Sequence, residues 1–203
     1  MKPMKRTSRG NESPTTNRLK RTVAGAHVSV SSGMAPGFAL LCASLLWTCA
    51  CVLPFLAGIQ PLEAGTTAPA FTLPGLTGES VSLADFEGQP ILLNFWTTTC
   101  SPCLKELPVL ATLEREFAAE GLVVVTVCMG SSPEEARQAL QKANADVRTL
   151  VDEDAVTATP YQIGGTPTTY LVDDGGVIVM SNAGYGDGTE SILRDEIERL
   201  LEE

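Results

Sequence analysis

Twelve residues constrain this chain more than any others: Leu92-Leu93-Asn94-Phe95-Trp96-Thr97-Thr98-Thr99-Cys100-Ser101-Pro102-Cys103. An apolar, aromatic run passes through three threonines into two cysteines spaced C-x-x-C, and Leu104-Lys105-Glu106-Leu107 continues as a helix. The run from Ile91 to Trp96 suits a strand buried on both faces. A cysteine placed where a strand turns into a helix meets unpaired N–H groups and the positive end of the helix dipole, which stabilise its thiolate. The second cysteine lies one turn on, near enough to close a disulfide. The pattern predicts a redox pair in which Cys100 attacks and Cys103 resolves, with that disulfide as the only cofactor. A C-x-x-C can also be half of a zinc site. That use needs two more ligands, and the chain beyond residue 66 offers only Cys128 and no histidine. His27 is the sole histidine and lies far upstream, which argues against Cys–His or Ser–His catalysis in the domain.

Charge divides the chain. Its net charge is −10, yet residues 1–36 carry seven Lys or Arg against Glu12 alone, and the rest carries seven basic and 23 acidic side chains. So acidic a C-terminal part excludes nucleic acid as a partner. The tail, rich in Ser, Thr, Arg and Gly, shows no apolar periodicity and reads as disordered. Residues 37–59 then contain no charge. At helical rise they span about 34 Å, enough to cross a bilayer core. The basic side stays in the cytoplasm by the positive-inside rule, so the acidic domain is exported. Cleavage as a signal peptide, at Ala57-Gly58-Ile59 or Ala64-Gly65, is the competing reading. Lipidation at Cys49 fits poorly behind Trp47 and Thr48. The expected organisation is a cytoplasmic tail (1–36), an anchor (37–59), a linker (60–66) and a folded domain (67–203).

Within that domain, residues 68–83 alternate around Pro-Gly and Thr-Gly turns and read as a β-hairpin, followed by one helical turn near Phe86. After the buried strand, a helix over about 101–119 carries Leu107, Leu110, Leu113 and Phe117 on one face, contains Pro108, which should kink it, and stops at Gly121. Residues 122–128 form a second buried strand. Ser132-Pro133-Glu134-Glu135 starts a helix that runs to about Ala143. A short strand (147–151), a short helix (152–161), two strands around Asp173-Asp174-Gly175-Gly176, and a final helix over 188–203 complete the order. That last helix is expected to bury Ile192, Leu193, Ile197, Leu200 and Leu201. The whole predicts an α/β domain with helices on both faces of a mixed sheet. Cys128, at the end of the second strand, reads as a small core residue or as a third redox thiol. The Thr166-Pro167 bond, directly before a strand, reads equally as a cis peptide or as an ordinary turn.

Asn94-Phe95-Trp96, the C-x-x-C and Thr166-Pro167-Thr168 together resemble the thioredoxin superfamily. Ala68-Pro69-x-Phe71-x-Leu73, Gly78-x-x-Val81-x-Leu83 and Phe86-x-Gly88-x-Pro90 resemble, more narrowly, its membrane-anchored TlpA/ResA-like branch, whose domain is of redoxin (AhpC/TSA-like) type. The resemblance spans about 66–203 and implies a thioredoxin-like fold with an N-terminal hairpin and a central insertion at 131–163. It implies that Pro167 is a cis-proline facing the disulfide, and that Thr166 offers its backbone, with Trp96 nearby, to an extended substrate. Tyr161 reads as packing. Two departures stand out. Thioredoxins carry a buried Asp where this chain has Asn94, and often a Trp where it has Thr99. An amide cannot take the proton from Cys103. Glu106, three residues past Cys103 and on its helix face, is the candidate acceptor, the alternative being a surface charge.

The resemblance implies a single-pass protein whose catalytic domain lies outside the cytoplasmic membrane. It would reduce disulfides of exported proteins, such as apocytochrome c during cytochrome c maturation, and receive electrons from a membrane dithiol donor. Two other functions fit parts of the sequence. A peroxiredoxin-type peroxidase wants P-x-x-x-[ST]-x-x-C, and Leu93 occupies the proline slot although Thr97 fills the hydroxyl one. A redox-inert peptide-binding holdase could use the groove beside Pro167 by strand pairing, but does not need an intact C-x-x-C.

Overall fold

The structure, a computed structural model, describes residues 59–202. The expected tail and, apart from Ile59, the expected anchor lie outside these residues. No helix among the described residues is long and apolar enough to cross a membrane.

Strands β1 (Thr72–Pro74) and β2 (Ser80–Ser82) form the expected hairpin, and one 3-10 turn follows at Leu83–Phe86. Strands β3 (Ile91–Trp96), β4 (Val123–Met129), β5 (Thr149–Asp152), β6 (Thr168–Val172) and β7 (Ile178–Ala183) make one sheet in the order β5-β4-β3-β6-β7. The β3–β4 and β4–β5 pairs are parallel and the β3–β6 and β6–β7 pairs antiparallel, so the sheet is mixed. β3 is central and all six of its residues are buried.

Helix α1 (Ser101–Phe117) joins β3 to β4 and runs through Pro108 without ending. Gly121 closes the connection at φ +97°, a conformation that glycine adopts without a Cβ clash. Helix α2 (Pro133–Ala143) joins β4 to β5. Its start is a capping box: Ser132 Oγ accepts the Glu135 N–H, and the Glu135 carboxylate accepts the Ser132 N–H at 2.9 Å. Helix α3 (Thr189–Leu201) ends the domain.

The helices do not flank both faces. Residues of α1, α2 and α3 share one core with Leu92, Trp96, Val124, Cys128 and Leu171. The two parallel crossovers step the same way across the sheet, and right-handed connections then put both on one face. The opposite face packs Leu93, Phe95, Val125, Val127 and Tyr170 against the hairpin, the turn at Phe86 and Tyr161. Residues 152–161, expected as a helix, are a series of turns. Ala155 and Gln162 hold positive φ, and the Asp152 carboxylate takes the N–H groups of Val156 and Thr157, each at 2.9 Å, that helix growth would have used. Tyr161 does pack: it is fully buried beside Phe95 and Tyr170, and its hydroxyl donates to the Pro69 carbonyl at 2.6 Å. In α3, Leu193 and Ile197 are buried, whereas Ile192 is half exposed rather than part of the core.

Candidate active site

Cys100 and Cys103 are disulfide-bonded at the start of α1, with Cα atoms 5.3 Å apart. Cys100 is the N-cap residue, and its Sγ accepts the Cys103 N–H at 3.2 Å, one of the donors that a helix start leaves free. It is part-exposed, whereas Cys103 is wholly buried. That asymmetry makes Cys100 the sulfur that an incoming group reaches.

The Thr166–Pro167 peptide is cis. Cys100 Sγ lies 3.4 Å from the Thr166 carbonyl oxygen, within reach of the thiol proton once the disulfide is reduced. Antiparallel pairing of β6 with β3 brings this loop to the redox pair, since Thr168 lies opposite Phe95. Pro167 is buried and Thr166 partly open.

Glu106 is not a surface charge. It is fully buried, accepting the Asn94 amide N–H at 3.0 Å on Oε2 and the Thr169 hydroxyl at 3.2 Å on Oε1. Asn94 Nδ2 also donates to Thr169 Oγ1 at 2.8 Å, which closes a three-membered polar cluster inside the apolar layer. Burial raises the Glu106 pKa from 4.5 to about 7, and the two hydrogen bonds hold the rise back. Asn94 Oδ1 is the one buried side-chain polar atom without a partner among the described residues. A half-turn of the amide would present that oxygen to Glu106. One side chain can thereby donate to the carboxylate or accept from the protonated acid, which an aspartate could do only by changing its own protonation.

Thr169 escaped the sequence reading. Its signal was a hydroxyl on a β6 position whose register partner is Asn94. Trp96, expected at the substrate groove, sits in the core with no exposed surface. Side chains alternate along β3, so Trp96 shares the helix-facing side with Leu92, and its Nε1–H donates to Thr126 at 3.2 Å. It supports the site from below and does not line it. Cys128 lies opposite Trp96, buried and with no disulfide partner, and burial pushes its thiol up to about 12. Its surroundings are those of a core residue and not of a reactive thiol. Among the described residues, no three His, Cys, Asp or Glu side chains cluster to hold a metal ion.

A mixed sheet whose central strand delivers a C-x-x-C to a helix N-terminus, faced by a cis-proline, defines a thioredoxin-like thiol–disulfide oxidoreductase. Residues 64–181 match the AhpC/TSA family, and the chain belongs to it. It is 31% identical to the thiol-disulfide oxidoreductase ResA of Bacillus subtilis over 139 residues, 68% of this chain and 76% of that one. The thioredoxin-like protein YneN of the same organism is 35% identical over 144 residues, 70% and 80% of the two chains. Among solved structures, the thioredoxin domain of a thiol-disulfide oxidoreductase from Bacteroides vulgatus superposes with a TM-score of 0.60 at 32% identity, covering 67% of this chain and 99% of that one. The protein is an oxidoreductase of this ResA type, with Cys100 and Cys103 as its dithiol pair.

Proposed function

We propose that this oxidoreductase works as a reductant outside the cytoplasmic membrane, tethered by the apolar segment up to residue 58, with 1–36 in the cytoplasm, 59–66 as linker and 67–203 as the redox domain. Ile59 goes with the linker because it lies against Gly164 of the folded domain. Its substrates are disulfides of exported proteins, including the C-x-x-C-H segments of apocytochrome c before haem attachment. A membrane dithiol donor returns it to the reduced state. The charge division of the sequence supports export, and the resemblance to the ResA-like branch supports the substrate class.

The observation that carries the reading is Glu106, a buried carboxyl with a pKa near neutrality, three residues from buried Cys103 on one helix face. In the reduced enzyme the Cys100 thiolate, stabilised by the start of α1, attacks one sulfur of the substrate disulfide and expels the other as a thiolate. The substrate chain lies in extended form against the backbone of Thr166, beside Pro167. Glu106 takes the proton of Cys103, and the Cys103 thiolate attacks Cys100 Sγ. The Cys100–Cys103 disulfide closes, the second substrate thiolate leaves, and two electrons have passed to the substrate. Burial fits Glu106 for this proton transfer, because at neutral pH it is divided between its two forms and can accept a proton and later return it. Equilibration with glutathione buffers tests the direction. The proposal expects a reduction potential at or below that of the glutaredoxins, roughly −200 mV, and a value near −120 mV, that of a dedicated oxidant, overturns it.

A further inference from the structure

The cleft beside the redox pair has a wall that belongs neither to α1 nor to the cis-proline loop. A cavity of about 360 Å3 lies against Thr166 and Pro167, and Ile59, Pro61, Gly164 and Ala183 also line it. At that size it falls at the small end of ligand-sized pockets, roughly 300–1,000 Å3. The chain is led there by a pinned segment. Leu62 is buried and its N–H donates to the Tyr170 hydroxyl at 3.3 Å. Gly65 N–H bonds the Ile178 carbonyl at 2.8 Å, and Thr66 O accepts the Ile178 N–H at 2.9 Å. The preceding residues meet the loop closely: a Cβ on Gly164 would stand 2.7 Å from the Ile59 carbonyl oxygen and 3.0 Å from Ile59 Cβ. Only a glycine admits this approach. Yet Ile59 leaves 66% of its surface open, one of three large apolar side chains so exposed among the described residues. An apolar side chain at a groove, facing water, is area that a ligand can cover.

The occupant follows from continuity with the dithiol. Thr166 lines the cavity, and its carbonyl lies 3.4 Å from Cys100 Sγ. A chain joined to Cys100 and extended along Thr166 advances about 3.3 Å per residue, which carries the residue beside its cysteine along the edge that Thr166 shares with Ile59 and Pro61. We propose that Ile59 and Pro61 are specificity-determining residues, forming an apolar wall that receives the side chain flanking the reacting cysteine of an extended protein substrate. The inference rests on the reading of Cys100 as attacking thiol and of Thr166–Pro167 as the docking edge.

Full-length reduced protein, kept soluble in mild detergent, tests it with two disulfide-linked peptides bearing Leu or Ser on both sides of the cysteine. A small aromatic disulfide, which has no residue flanking its sulfur, serves as the reference reaction. The wild type should prefer the Leu peptide roughly fivefold in kcat/KM, the effect of burying about half a leucine side chain. Ile59→Ser should bring the preference close to one. Gly164→Ala should do the same by pushing the segment away while Ile59 itself is kept, and thermal melts report whether each variant is folded. A preference unchanged in both variants overturns the wall. A preference that rises also overturns it, since 59–61 would then be a plug competing with substrate. A wild type inert toward the small disulfide removes the reading of Cys100, and the wall falls with it.

Discussion

Replacing Glu106 by Gln tests the buried acid directly, because two independent readouts must change together. Its pKa rises from 4.5 unfolded to about 7 folded. The folded state therefore binds the proton more tightly, and between these values stability falls as pH rises. The protonated form is accommodated in full below about pH 4.5, and the advantage is gone above about pH 7. At 1.36 kcal/mol per unit the whole effect is roughly 3 kcal/mol, of which about 2.5 kcal/mol falls between pH 5 and pH 8. Gln is neutral throughout and nearly isosteric. It keeps an oxygen for the Thr169 hydroxyl, and the unpartnered Asn94 Oδ1 can accept its amide N–H after a half-turn. Urea unfolding of the oxidised protein, in which Cys100 and Cys103 do not titrate, should show the variant gaining about 2.5 kcal/mol on the wild type from pH 5 to pH 8. That corresponds to a relative midpoint shift of about 1 M or more. Closure of the Cys100–Cys103 disulfide from a mixed disulfide should slow roughly tenfold to a hundredfold at neutral pH, and its inflection near pH 7 should vanish. Parallel stability curves together with an unchanged pH–rate profile would refute both the buried acid and its role.

Three further perturbations probe the same site. Cys103→Ser should hold a substrate on Cys100 as a mixed disulfide, visible as a mass increase lost on reduction; full peroxide turnover in this variant would instead favour the peroxidase. Thr169→Val removes the donor to Glu106 Oε1, so the stability loss should be about 1–2 kcal/mol and the inflection of the rate profile should move above its wild-type value. Trp96→Phe deletes the hydrogen bond to Thr126 and some buried area. It should cost about 1–3 kcal/mol in urea unfolding while leaving KM for a disulfide peptide within twofold, and a KM raised tenfold would return Trp96 to the substrate groove.

Local chemistry explains why so much of this site could be read from the chain. A strand of six residues, all apolar or aromatic but Asn94, two cysteines one turn apart and a proline before a later strand are short-range features. Each carries its consequence wherever the rest of the chain goes: a buried centre, a helix start holding a sulfur, a restricted peptide. The hairpin, the limits of β3 and the start of α2 at Ser132-Pro133 followed for the same reason. What the sequence left open depended on which face a side chain meets. Glu106 on a helix surface and Glu106 buried in the core have the same neighbours in sequence. Only the register of β6 against β3, which sets Thr169 opposite Asn94, makes it a buried acid with a pKa near 7. Trp96 moved the other way, from expected groove to core, because alternation along β3 directs it under α1. The segment 152–161 was expected as a short helix weakened by Pro160, and Asp152 takes the N–H groups that such a helix needs. Sequence determined the thiol chemistry, because that needs only adjacent residues. The burial of Glu106 beside Asn94 and Thr169, and the placing of Ile59 and Pro61 against the cis-proline loop, were decided by tertiary structure, because each joins residues that only the packed domain brings together.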